Sequence, residues 1–192
     1  MVNVPEALAT GCVVTGSTVP LKWHGGLVKS SDLADLPFTY PEVGATAGPP
    51  PAGYRQLSAS AVIGHGRTRF EEAAAEVMRW GMLRGAGLRV DATTEVAAVG
   101  SEVVVGLGPV RAPCRVVYVV DEPDRRGFAY GTLPGHAESG EELFAVRFDP
   151  SDDSVHAEVS AFSRPGTWWS RLAGPVTSVL QRVVSKRYLR AL

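Results

Sequence analysis

Residues 168–192 read Trp-Trp-Ser-Arg-Leu-Ala-Gly-Pro-Val-Thr-Ser-Val-Leu-Gln-Arg-Val-Val-Ser-Lys-Arg-Tyr-Leu-Arg-Ala-Leu, the pattern of one long amphipathic helix. Leu172, Val176, Val179, Leu180, Val183 and Val184 recur at the three-and-four spacing that gathers side chains on one helical face. Arg171, Ser178, Arg182, Ser185 and Lys186 fill the opposite side. Gly174-Pro175 marks a kink or the start of the main helix, because proline fits a first turn but breaks a helix interior. A helix with one apolar stripe has to bury it, so the rest of the chain must supply a matching surface.

That surface is legible upstream. From Leu88 to Phe162 the hydropathy has period two, interrupted by turn residues, with strands expected near 88–93, 95–99, 102–107, 114–121, 127–133, 142–149 and 154–163. Phe144, Val146 and Phe148 share a face, as do Val155, Ala157, Val159 and Ala161, while His156, Glu158 and Ser160 point the other way. Short polar breaks at Asp121–Asp124 and Asp149–Asp153 imply hairpins, hence a meander. An earlier strand is expected at Tyr54–Ile63. It is followed by a helix in which Thr68 and Glu71 stand at capping-box spacing, Phe70, Ala73, Ala74, Val77 and Trp80 form the apolar face, and Gly85 and Gly87 close the element. Residues 44–53, with Pro49-Pro50-Pro51, are a loop or a short polyproline turn. Residues 1–36 read as an irregular N-terminal segment and 37–192 as a single domain. The fold class is therefore α+β: a curved antiparallel sheet of six to seven strands wrapped around a long C-terminal helix. Such a plan suits a protein that holds a small apolar molecule between sheet and helix.

Composition narrows the function. A net charge of −1 on 192 residues gives no field that would steer the chain to nucleic acid. The charge is uneven: residues 159–192 carry six basic groups and no acid, against 13 basic and 20 acidic groups elsewhere. An Arg-rich solvent face explains this, with cations suited to a helix C-terminus; an acidic membrane surface or partner is the sharper alternative. Cys12 and Cys114 form no CxxC motif or disulfide framework, and no apolar run approaches membrane-spanning length. A cytoplasmic protein without stable membrane insertion is expected.

Four strings point to a family: Phe38-Thr39-Tyr40-Pro41-Glu42-Val43-Gly44-Ala45-Thr46, the run Phe128-Ala129-Tyr130-Gly131-Thr132-Leu133-Pro134-Gly135-His136-Ala137-Glu138-Ser139-Gly140-Glu141-Glu142, Ala161-Phe162-Ser163-Arg164-Pro165, and the closing Arg187–Leu192. The chain resembles the uncharacterised domain-of-unknown-function family nineteen-ninety over roughly residues 36–192. More distantly it resembles the helix-grip superfamily of START proteins and birch-pollen allergens. The resemblance implies a helix-grip fold with a cavity for lipids, sterols, hormones or polyketides, and it implies no particular activity.

The candidate site residues follow from chemistry. His136 and Glu138 lie together in a loop and could act as an acid/base pair or as an anchor for a polar group. Trp80, Met82, Tyr118, Phe128 and Tyr130 are expected to line an apolar cavity, with the tyrosine hydroxyls orienting a ligand. Arg164 could reach a ligand carboxylate or pair with a nearby acid, and of Trp168 and Trp169 one is expected to pack in the core while the other could gate the entrance. His24, His65, His136 and His156 lack metal-ligand spacing, so neither a metal nor a cofactor is expected. Gly64-His65-Gly66 lacks the remaining residues of a phosphate loop. The leading reading is non-catalytic binding of a lipid, isoprenoid or polyketide-like molecule. The alternative is a cyclase, hydrolase or lyase using His136, Glu138 or Tyr130.

Overall fold

The structure is a computed structural model that describes residues 30–166 together with 188, 189, 191 and 192. Its elements run β1 (Arg55–His65), α1 (Arg67–Met78), α2 (Gly81–Gly85), β2 (Arg89–Ala92), β3 (Glu102–Leu107), β4 (Val110–Glu122), β5 (Arg125–Thr132), β6 (Glu138–Asp149) and β7 (Ser154–Pro165). All seven strands join one curved antiparallel sheet in the order β1-β7-β6-β5-β4-β3-β2. The last six form the expected meander, and β1 closes it by pairing with β7. Bulges between Val62 and Gly64 and between Val116 and Tyr118 shift the register and increase local twist. The long helix read over residues 168–192 lies outside the described residues. Of that stretch, Tyr188 is buried, and Leu189 and Leu192 pack on the core.

Alternation sorts the side chains onto two faces. The inner face carries Val103 and Val105, Cys114 and Val116, Phe128 and Tyr130, Phe144, Val146 and Phe148, and Val155, Ala157 and Val159, all in one buried cluster with α1, α2 and Tyr188. Full burial of each large side chain is worth about 1.5–3 kcal/mol. Helix α1 contributes Phe70, Ala73, Ala74 and Val77, as its apolar spacing predicts. Phe70 meets Phe148 with ring centroids 6.2 Å apart, which places α1 over one end of β6.

Three local expectations are corrected. Thr68 does not cap α1: the helix begins at Arg67 behind Gly66, whose φ of 93° favours glycine, and no side chain caps it. Glu71 instead pairs with Arg126 on β5 at 2.5 Å. The helix also stops before Gly85, because Trp80 takes a left-handed conformation (φ 66°, ψ 21°) between α1 and α2. That conformation costs about 1–2 kcal/mol in a non-glycine residue. It is held by complete burial, an edge-on contact with Phe128 at 4.9 Å, and an indole N–H donated to the Thr94 carbonyl at 3.1 Å. Finally, residues 95–99 form a loop rather than a strand. The Ala97 N–H bonds the Met78 carbonyl at 2.8 Å, and Ser101 Oγ accepts from the Ala98 N–H, so these groups are not free to join the sheet.

Residues 30–46, with Tyr54 against Phe162, cover part of the outer face. Arg115 of β4 donates to the carbonyls of Leu33, Ala34 and Leu36 while pairing with Glu102 at 2.9 Å. The Thr39 N–H bonds the Thr132 carbonyl at 3.0 Å, and Ser139 Oγ donates to the Thr39 carbonyl at 2.9 Å. Glu141 anchors the rest: it accepts from Tyr40 Oη at 2.7 Å, from the N–H groups of Gly44 and Thr46 at 2.7 and 3.0 Å, and from Thr46 Oγ1. Gly131 is required beneath this strap, since a Cβ there would lie 2.1 Å from Tyr40 Oη.

Candidate functional site

Glu141 and Glu142 are consecutive on β6, so the pleat sends their carboxylates to opposite faces. Glu141 is consumed by the strap. Glu142 points inward, in line with Phe144 and Val146, directly opposite Tyr130 on β5 and Ala161 on β7. Tyr130 Oη donates to Glu142 Oε2 at 3.0 Å. The Tyr188 ring meets Phe144 edge-on at 5.1 Å, which brings its hydroxyl into the same group. Phe144 also sits 5.2 Å from the Tyr130 ring. Cys114 completes the group from β4.

Electrostatics follow from this setting. Burial pushes the Glu142 carboxyl up from 4.5 to about 7, and the hydrogen bond from Tyr130 pulls the other way. Tyr130, Tyr188 and Cys114 are raised well above their ordinary values, first by burial and then by the neighbouring Glu142 charge, so they stay neutral. Glu142 nevertheless keeps accessible surface, as do Ala161 opposite it and Leu57 beyond on β1, whereas Tyr130, Phe144 and Cys114 are buried. The site is thus an aromatic wall carrying one titratable carboxyl, with the partly exposed apolar residues Ala161 and Leu57 on the strands beside it. Chemically, such a group can accept hydrogen bonds, hold a cation, or exchange a proton near neutral pH.

The residues singled out from sequence are distributed over three places. Tyr130 and Trp80 lie on the inner face, Tyr130 in the carboxyl group just described and Trp80 sealed in the core with its N–H satisfied. Met82 and Phe128 belong to the same core. Tyr118 lies on the outer face, hydrogen-bonded to Thr46 Oγ1 at 2.8 Å, and burial lifts its hydroxyl to about 12. Arg164 is exposed and stacks over Tyr54 at 4.7 Å. His136 and Glu138 do not oppose one another as a side-chain pair. His136 Nδ1 bonds the backbone of Glu138, whereas the Glu138 carboxylate pairs with Arg55 at 3.3 Å. Burial depresses the imidazole from 6.5 to about 4, so it is neutral near pH 7. Trp168 lies outside the described residues. Glu142, absent from the sequence-based candidates, was signalled by two adjacent acids within a strand: one of them has to face the core.

Among the described residues no group of three or more His, Cys, Asp and Glu could hold a metal ion, and no helix is long and apolar enough to cross a membrane. A family model described as "Domain of unknown function (DUF1990)" matches residues 39–191. The chain belongs to the DUF1990 family. A UPF0548 protein of Deinococcus radiodurans is 46% identical over 78 residues, a stretch covering 41% of this chain and only 39% of that protein's length. Among solved structures, a hypothetical protein from Helicobacter pylori matches with a TM-score of 0.55 at 7% identity, over 71% of this chain and 86% of that one, so the DUF1990 fold is shared with it. Ara h 8.0201, of the birch-pollen-allergen type, matches with a TM-score of 0.43 at 10% identity, over 72% of this chain and 98% of its own. In the DUF1990 domain the family strings acquire a physical meaning: Tyr40, Gly44 and Thr46 are the donors that Glu141 collects.

Proposed function

We propose that residues 37–192 form a single cytoplasmic domain that binds a small, largely apolar molecule against the inner face of the sheet without converting it. The observation that carries this reading is Glu142: a partly exposed residue whose carboxyl sits beside two phenols in an otherwise apolar, aromatic surface. Small-molecule sites are mostly apolar walls with a few polar groups that fix orientation. Lipids, isoprenoids and polyketide-like molecules fit that description. Thermal-shift and native mass spectrometry screens against these classes test it. Stoichiometric binding is expected to raise the melting temperature, through a stabilisation of about 2.7 kcal/mol at a hundredfold excess over Kd. No binding by any class would overturn the reading.

A second reading, an enzyme of the cyclase, hydrolase or lyase type, is favoured by one observation. A carboxyl held near 7 is poised for proton transfer at neutral pH, with the Tyr130 hydroxyl beside it. Turnover separates the two readings: a binder returns the molecule chemically unaltered with or without Glu142→Gln, whereas an enzyme converts it and loses turnover by about a hundredfold or more in that variant.

A further inference from the structure

The chemistry of the inner-face carboxyl specifies which apolar molecules it accepts. Tyr130 engages Oε2, and among the described residues no ion pair reaches Glu142. Its surroundings are rings: Phe144 touches both Tyr130, at 5.2 Å, and Tyr188, at 5.1 Å, and Phe128 lies 5.6 Å from Phe144. A carboxylate set in such a wall offers acceptors and π-faces, both of which attract a cation. It offers a ligand carboxylate or phosphate only repulsion. Ala161 and Leu57, in register beside Glu142 on β7 and β1 and partly exposed, extend this surface with apolar side chains.

We infer that this site selects amphiphiles whose apolar body carries a protonated amine, with the ammonium seated against Glu142 among the rings of Tyr130, Phe144 and Tyr188. The inference rests on the binding reading above and names the polar end of the ligand. The titratable groups facing Glu142 from β4, β5 and the described C-terminal residues are Cys114, Tyr130 and Tyr188, all neutral across the physiological range. The carboxyl is therefore the group whose charge changes there.

The test uses three probes of equal chain length: octylamine, octanol and octanoate, titrated calorimetrically into the full chain at pH 6 and pH 8. Octylamine is expected to bind at least about tenfold more tightly than octanol at pH 8, with octanoate weakest. The amine preference should grow about tenfold from pH 6 to pH 8 as the carboxyl ionises, since the amine itself stays protonated. Glu142→Gln, which keeps an acceptor for Tyr130, should reduce the amine preference to near parity. Should that variant fold poorly, the pH series on the natural chain decides alone. Equal binding of amine and alcohol at both pH values, or preference for octanoate, overturns the inference and leaves the apolar-binder reading standing. Failure of all three probes and of the lipid, isoprenoid and polyketide classes overturns both.

Discussion

Burial disfavours the charged form of both Glu142 and His136, yet they act on stability with opposite sign. An acid whose folded pKa lies above its unfolded one carries the extra proton in the native state. Stability from Glu142 is therefore greatest at low pH and declines as pH rises from about 4.5 to about 7, by up to about 3 kcal/mol. His136 is a base depressed from 6.5 to about 4, so its contribution is complete above 6.5 and is lost as pH falls toward 4, by a similar amount at most. Between about pH 4.5 and 6.5 the two slopes offset one another, and the natural chain should show a nearly flat profile in urea denaturation. Glu142→Gln removes the first slope: the variant should lose stability on acidification and be more stable than the natural chain at pH 8, by about 1–3 kcal/mol. His136→Asn should do the reverse, tracing a decline from pH 5 to pH 7. A variant profile parallel to the natural one in either case would show that the named group does not titrate in that window.

At the scale of elements, the two coverings of the sheet differ in how they are held. On the inner side α1 docks through Phe70, Ala73, Ala74 and Val77, a non-directional apolar contact that the helical spacing already announced. The outer strap of residues 38–46 has little regular structure and is fixed by directional bonds that converge on Glu141. Glu141→Ala leaves the Tyr40 hydroxyl and two backbone N–H groups without their acceptor, a loss expected to cost about 3–5 kcal/mol. Hydrogen exchange at the amides of Gly44 and Thr46 should accelerate sharply, whereas α1 amides should keep their protection. Gly131→Ala should release the same strap by a steric route, through the clash with Tyr40 and Phe38. These differences mark what sequence can convey. Period-two strands and the apolar face of α1 were legible because burial repeats along the chain. The break at Trp80 was not, because a left-handed tryptophan is imposed by packing against Phe128 and by the Thr94 carbonyl, partners distant from it in sequence. The Thr68–Glu71 spacing misled for a related reason: Glu71 found Arg126 across the fold instead of the helix end.

In the molecule as a whole, one strand carries two unrelated tasks at adjacent positions. Glu141 ties down the outer covering and Glu142 supplies the only inward carboxyl assigned to the site, and the sheet lies between them. The pleat of β6 makes this division: a one-residue slip in its register with β5 or β7 would exchange the two acids and fail both faces at once. If the sheet insulates its faces as that geometry implies, substitutions at the two positions act independently despite being neighbours in sequence. A double-mutant cycle of Glu141→Ala and Glu142→Gln measured at pH 8 should give a coupling energy below about 0.5 kcal/mol. Glu141→Ala alone should open the strap while leaving the probe selectivity of the inner face intact, and Glu142→Gln should alter that selectivity while the strap amides stay protected. A coupling of about 1 kcal/mol or more would mean that the coverings communicate through β6, and that loosening the strap reshapes the ligand site.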